Sequence, residues 1–305
     1  MPEVRSPTVR RRELGALLRA LRNKKGLTVE QAAERLLFSM SKLSRMETGH
    51  GIATARDIRD LCDLYGVTDE AERERMMQLA REGKQQGWWQ DYDLPYSTYV
   101  GLEEEAASIK IYDSAVVPGL LQTADYARAL HEASVPKYDA TKISQWIEAR
   151  ATRQRILTRY NPPTLHAILD EAVVRRAIGS REIMRAQLAR VVEAAEMPNV
   201  TIQVIPYETG AHPALDSVFT ILEFVSSAPG VVYVEGLIGY IYLEQPRDSV
   251  RYNQVFDHLS AMALRPEQSV AFLKEAIKQH KTAKPTANRP ALYAYAAMMT
   301  LQTQS

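Results

Sequence analysis

Cysteine is almost absent from this 305-residue chain: Cys62 stands alone, so no internal disulfide can form, and a reducing compartment is the expectation. Long apolar runs are missing too. The longest, from Gly230 to Leu243, contains Glu235 and is too short to cross a bilayer. No apolar stretch follows Met1, and the first twelve residues are Arg-rich, so no secretory signal is expected. The six histidines are scattered without an i, i+4 pair, and Cys62 falls in a predicted helix, so no metal site is expected. G-x-x-x-x-G-K, G-x-S-x-G and G-x-G-x-x-G are all lacking, which removes the commonest nucleotide and acyl-transfer signatures. The expectation is a chain that is not an enzyme and takes no cofactor.

Excess charge of one sign is lacking as well, but only on average. The net charge is +1 overall, whereas residues 1–50 carry 11 Lys/Arg against 5 Asp/Glu and the remainder carries 27 against 32. A basic head on a mildly acidic body points to a polyanion for the head alone; a solvated basic face is the plainer alternative. Within that head, Thr28 to Gly49 reads TVEQAAERLLFSMSKLSRMETG. Thr28 with Gln31 three residues on is a capping box, and Val29, Ala32, Ala33 and Leu36 form one apolar face. Leu37 and Phe38 make a turn, and Ser39 caps a second short helix that stops at Gly49. Leu43 and Met46 face inward, leaving Met40, Ser41, Lys42, Ser44 and Arg45 outward, which is the layout of a helix that reads the major groove.

Around this pair the chain divides into five stretches. Residues 1–9 read as a flexible arm and residues 10–82 as a bundle of four to five helices. Leu14, Leu17, Leu18 and Leu21 give its first helix, Arg10 to Lys25, a helical stripe; Thr54 caps a later helix, which Gly66 ends. Residues 83–100 form an aromatic linker holding Trp88, Trp89, Tyr92, Tyr96 and Tyr99, suited to packing one domain on another or to a ligand cage. Residues 101–280 read as an α+β domain with a small, mostly antiparallel sheet and helices on one face. Glu103 to Asp113 is expected as a helix and Thr141 to Arg159 as a long Arg-rich one. Leu165 to Leu169, Val200 to Ile205, Val218 to Phe224 and Val231 to Leu243 are expected as strands, the last turning at Gly236 and Gly239. Residues 281–305 form a variable tail.

Residues 10–66 resemble the lambda-repressor-like (Cro/C1, XRE-type) helix-turn-helix domain. The likeness is carried by Leu27, Thr28, Ala33, Leu36, Ser39, Leu43, Ser44, Arg45, Glu47 and Gly49, then by Leu64-Tyr65-Gly66-Val67. Two positions depart: Val29 stands where that family commonly has a phosphate-binding Gln, and Leu37 where a Gly commonly opens the turn. A leucine held there at positive φ costs about 1 kcal/mol or more. Residues 88–279 resemble the domain that follows such a head in actinobacterial WhiJ-type regulators. Its carriers include Trp88-Trp89, Val117-Pro118-Gly119-Leu120-Leu121-Gln122-Thr123, Arg150-x-x-Arg153-Gln154, Leu169-Asp170-Glu171 and Gly210-Ala211-His212-Pro213. That group is described as antitoxin-like and paired with a small partner protein.

The two lines of reading converge on a sequence-specific, cytoplasmic, nucleoid-associated transcriptional regulator. Its partner is double-stranded DNA with a palindromic operator, met as a homodimer, and its body senses a small partner protein or ligand. An antitoxin-like module that binds a partner and uses DNA for autoregulation is the alternative. Base reading falls to Met40, Ser41, Lys42, Ser44 and Arg45, with Arg45 able to hold guanine bidentately. Backbone contacts fall to Arg10, Arg11, Arg12, Arg22, Lys24 and Lys25, and to Thr28 and Ser39 at helix starts; about four to six phosphates would be neutralised. Partner binding falls to Leu120 and Leu121 at a turn, Arg150 and Arg153 on the long helix, and the lone loop residue His212. Each has a plainer reading, as core, salt-bridged surface or backbone-bonded turn residue.

Overall fold

The computed structural model describes residues 6–135, 137–225, 230–236 and 239–282. The expected tail beyond Thr282 and residues 1–5 of the expected arm lie outside them. Five helices build the head: α1 (Pro7–Lys24), α2 (Val29–Leu36), α3 (Met40–Glu47), α4 (Ala55–Tyr65) and α5 (Glu70–Glu82). Their apolar stripes meet in one core of Leu14, Leu18, Leu43, Met46, Ile58, Leu61 and Met76. Caps set the boundaries locally. The Thr28 hydroxyl accepts the Gln31 N–H while the Gln31 side chain accepts the Thr28 N–H, and Thr54 with Asp57 repeats the device on α4.

The first helix does not wait for Arg10. Pro7 opens it at the first-turn position where a missing N–H costs nothing, and Ser6 to Val9 are buried. Val9 belongs to the core of the body, beside Trp89, Tyr99 and Val100. The Ser6 N–H bonds Glu105 at 2.7 Å, and its hydroxyl donates to the Gly101 carbonyl. Thus the described part of the expected arm is the buried root of α1, and this one helix is shared by both cores.

In the body, α6 (Ser97–Glu103) is followed by β1 (Ser108–Asp113), then α7 (Ala124–Glu132), α8 (Ala140–Gln154), β2 (Thr164–Asp170), α9 (Glu171–Arg175), α10 (Arg181–Ala194), β3 (Val200–Ile205), β4 (Phe219–Glu223), β5 (Val231–Gly236), β6 (Gly239–Leu243), α11 (Pro246–Met262) and α12 (Pro266–Thr282). The expected helix over Glu103 to Asp113 is therefore two elements. Leu102, Ala106 and Ile109 happen to continue a 4, 3 spacing, but Ala106 sits in the connection and Ser108–Asp113 is the middle of the sheet.

The sheet corrects a second expectation. Among the described residues it has six strands in the order β3-β2-β1-β4-β5-β6 and is mixed. β1 pairs parallel with β2 and β2 with β3, because helices α7–α8 and α9–α10 carry the chain back between them. β1–β4, β4–β5 and β5–β6 are antiparallel. Helices cover both faces rather than one. Ile109, Ile111, Leu165, Leu169, Val200 and Val204 face a core with Met184, Leu188 and Leu273, while Tyr112, Ile168, Ile205 and Ile221 face Phe256 and Leu259 of α11. Strands apolar on both sides demand this double cover. Among the described residues no helix is long and apolar enough to cross a membrane.

Candidate nucleic-acid interface

α3 lies exposed along one side because everything behind it is locked. Leu43 and Met46 are buried in the head core. α1 crosses α3 so closely that a Cβ on Gly15 would stand 2.6 Å from the Met46 carbonyl and 2.7 Å from that of Glu47. Any larger residue there displaces α3. Near the end of α3, Arg22 grips Glu47 in two-pronged fashion, Nε to Oε1 at 2.7 Å and Nη2 to Oε2 at 2.8 Å, and its third nitrogen bonds the Leu27 carbonyl at 2.8 Å. Both side chains are buried, and the bond to Glu47 holds the Arg22 pKa above its ordinary value despite burial.

The turn before α3 is tight. Leu37 takes φ 54° and ψ 33°, the left-handed conformation, and its side chain is 94% exposed. The strain expected of a leucine in the glycine position is present, and no burial of the side chain offsets it. Ser39 then caps α3, its hydroxyl accepting the Lys42 N–H at 3.1 Å.

Met40, Ser41, Lys42, Ser44 and Arg45 all lie on the exposed side. They are not equivalent. The Lys42 ammonium sits 2.5 Å from Asp57 Oδ1 and 3.8 Å from the centre of the Phe38 ring, so it is bound within the protein. Burial works against the charge on Asp57, but bonds from Lys42 and Thr54 together hold its carboxyl below the usual value. The Arg45 carbonyl accepts the Gly51 N–H, but its guanidinium, by contrast, has no hydrogen-bond or ion-pair partner among the described residues. It borders a depression of about 290 Å³ between α3 and the following loop, with Ser39, Ser41, Lys42, Met46, Gly51 and Ile52 as the other walls. Ile52 places exposed apolar surface on its wall, at 55% exposure, and Met40 at the start of α3 is 53% exposed.

Half of the expected backbone-contacting residues are engaged elsewhere. Arg10 is buried among Glu13, Glu82 and Glu105, and Arg12 pairs with Glu244 at 2.5 Å while stacking over Tyr242. Arg11 donates to the Gly83 carbonyl at 2.9 Å, and Arg22 serves Glu47. These four are corrected from phosphate ligands to structural cations. Apart from Glu13, three residues from Arg10, these partners lie far away in sequence, where spacing could not reveal them. Lys24, Lys25, Thr28 and Ser39 remain exposed. Gly15, Asp57 and Ile52 were missed. A glycine inside a leucine-rich helix was the available signal for the first, since it costs about 1 kcal/mol without a packing reason.

The expected docking residues of the body are not on a docking surface. Leu120 and Leu121 are 1% and 0% exposed, in the core beneath α8. Arg153 makes a buried two-pronged pair with Glu103, at 2.8 and 2.9 Å, against the rings of Tyr96 and Tyr99. Arg150 bonds Gln122 at 2.7 Å, and burial lowers its pKa. His212 is buried, its ring accepting the Ala214 N–H and meeting the Tyr112 hydroxyl at 3.3 Å. Leu120, Leu121 and His212 take their plainer readings as core and backbone-bonded turn residue, whereas Arg153 is a buried ion-pair member and Arg150 bonds an amide, neither being part of a salt-bridged surface. Among the described residues no group of three or more His, Cys, Asp or Glu side chains is placed to hold a metal.

Comparison with known families divides the chain in the same way. A family model described as a helix-turn-helix domain matches residues 13–76, spanning α2, α3 and α4. A second, described as a domain of unknown function (DUF5753), matches residues 96–275. No curated protein and no solved structure matches the chain.

Proposed function

Because this chain belongs to the family described as a domain of unknown function (DUF5753), whose description names no activity, we infer its function from the helix-turn-helix domain ahead of it: a DNA-binding transcription regulator. One observation carries the reading. The Arg45 guanidinium stands exposed, unpartnered among the described residues, on a helix whose buried side is fixed by Gly15, Leu43, Met46 and the Arg22–Glu47 pair. A rigid helix presenting a free guanidinium fork, two short hydroxyls at Ser41 and Ser44, and the apolar Met40 matches base edges in a major groove. Arg45 takes guanine, Met40 meets a thymine methyl, and Lys42 acts from behind by fixing α3 to α4. Lys24 and Lys25, with the helix starts at Thr28 and Ser39, supply phosphate contacts.

One head covers one half-site, so the reading includes a homodimer on a palindromic operator, its half-sites about one helical turn apart. It assigns no turnover to the body and gives it a sensing role toward a small partner protein. A signal there reaches the head through α1, which has Val9 in one core and Leu14 and Leu18 in the other. The test is a duplex selected from a random pool. Arg45→Ala should lose about 1–3 kcal/mol of discrimination for it over an unrelated duplex. Unchanged preference would remove Arg45 from the reading.

A further inference from the structure

The two edges of the sheet are treated differently. On β3 the outer edge is sealed. The Leu264 N–H bonds the Val204 carbonyl at 2.9 Å, the fully buried Ser269 hydroxyl accepts the Val204 N–H at 3.0 Å, and the Gln203 amide bridges the carbonyls of Ser260 and Leu264. On β6 the outer edge is open. Gly239–Leu243 pairs with β5 only, and its remaining backbone groups have no partner among the described residues. Its sequence, GYIYL, contains no charge and no proline, the usual means by which a protein blunts an exposed edge. Tyr240 and Tyr242 lean inward on Tyr233, while Ile241 is 57% exposed.

We propose that β6 pairs antiparallel with β6 of a second copy of this chain, the two-fold axis passing through Ile241, so that the two six-stranded sheets become one. Three observations favour a second copy as the occupant. Centring the axis on Ile241 pairs all five residues, Gly239 with Leu243 and Tyr240 with Tyr242, and opposes no like charges. The sheet is closed at its other end, so pairing stops at two copies. The strand is also tied to the head: Arg12 of α1 stacks over Tyr242 and pairs with Glu244 just beyond it, so a two-fold at β6 relates the two reader helices by the same axis. The inference rests on the reading of the chain as a dimeric regulator and names the surface that reading needs.

The test uses the full chain without DNA. In sedimentation equilibrium the wild type should weigh twice 34.4 kDa. Ile241→Lys sets two ammonium groups opposite one another and should weaken the dimer at least about tenfold. An equal mixture of Ile241→Lys and Ile241→Glu chains should restore it, which separates lost pairing from lost folding. Ile241→Cys should cross-link under mild oxidation, since paired strands bring the two Cα atoms to about 4.5–5.5 Å. Cys62 is buried, and Leu215→Cys, at an exposed site away from β6, should not cross-link. A monomeric wild type, an Ile241→Cys chain that does not cross-link, or a dimer indifferent to Ile241→Lys would overturn the proposal. A β6-paired dimer that ignores DNA would instead overturn the regulator reading and leave the interface standing.

Discussion

Removing the Glu47 carboxylate should cost the head more than any other single truncation on its DNA-facing side. In Glu47→Ala the Arg22 guanidinium loses both its short charge-assisted bonds, at 2.7 and 2.8 Å, and keeps only the Leu27 carbonyl and the Asn23 side chain. Arg22 is 8% exposed, so water cannot replace what is lost. Stranding one partner of a buried pair costs about 3–5 kcal/mol, a large part of the roughly 5–15 kcal/mol that holds a domain folded. With a urea m-value of about 3 kcal/mol/M, the midpoint followed by circular dichroism should fall by about 1–2 M. Replacing both partners, Arg22→Met with Glu47→Leu, removes the stranded charge and should recover most of that loss. A midpoint that moves by less than about 0.3 M in Glu47→Ala, or a double variant no more stable than the single one, would refute the claim that this pair anchors α3.

Three further outcomes follow from the same geometry. Leu37→Gly should raise stability by about 1 kcal/mol, because glycine accepts the left-handed φ of 54° without strain and the exposed leucine side chain buries nothing; a lower melting temperature would count against it. Lys42→Met should keep the Phe38 packing but leave Asp57 without its counter-ion, so the Asp57 carboxyl, read by NMR titration, should move up from its depressed value. Burial first, and the Arg150 charge second, push the His131 pKa down to about 4. Well above pH 6.5 the ring is neutral folded or unfolded. As pH falls from 6.5 to about 4 the unfolded chain takes up the proton first, so stability should drop by up to about 3 kcal/mol, and His131→Gln should flatten that slope.

The legible parts of the head are those whose causes lie within a few residues. Thr28 with Gln31, Ser39 with Lys42, and Thr54 with Asp57 are three-residue relations, and they place α2, α3 and α4 and the exposed row from Met40 to Arg45. What spans the chain was not legible. A basic stretch shows how many cations a segment carries, not which of them meet a buried acid: Arg10 finds Glu105 and Arg12 finds Glu244 only once the body has folded against α1. The strand β1 was misread because Leu102, Ala106 and Ile109 imitate a helical stripe across an element boundary. The sheet was undersized because losing β1 removes a strand and hides its parallel crossover to β2, whereas the parallel β2–β3 crossover through α9 and α10 joins two expected strands. Leu120 and Leu121, open to a reading as core or as a docking edge, are core because α8 and α10 pack on their turn.

The central claim, that α3 reads DNA on a basic head, is tested most directly by titrating the full chain against a selected duplex and a scrambled one while salt is raised. Lys24 and Lys25 from each of two heads neutralise about four phosphates, at a slope of about −0.9 per contact in log affinity against log salt. Between 50 and 200 mM salt, binding to both duplexes should therefore fall by about 10²-fold, with the preference for the selected duplex persisting throughout. Affinity flat in salt, or equal for the two duplexes at every salt concentration, would contradict the account.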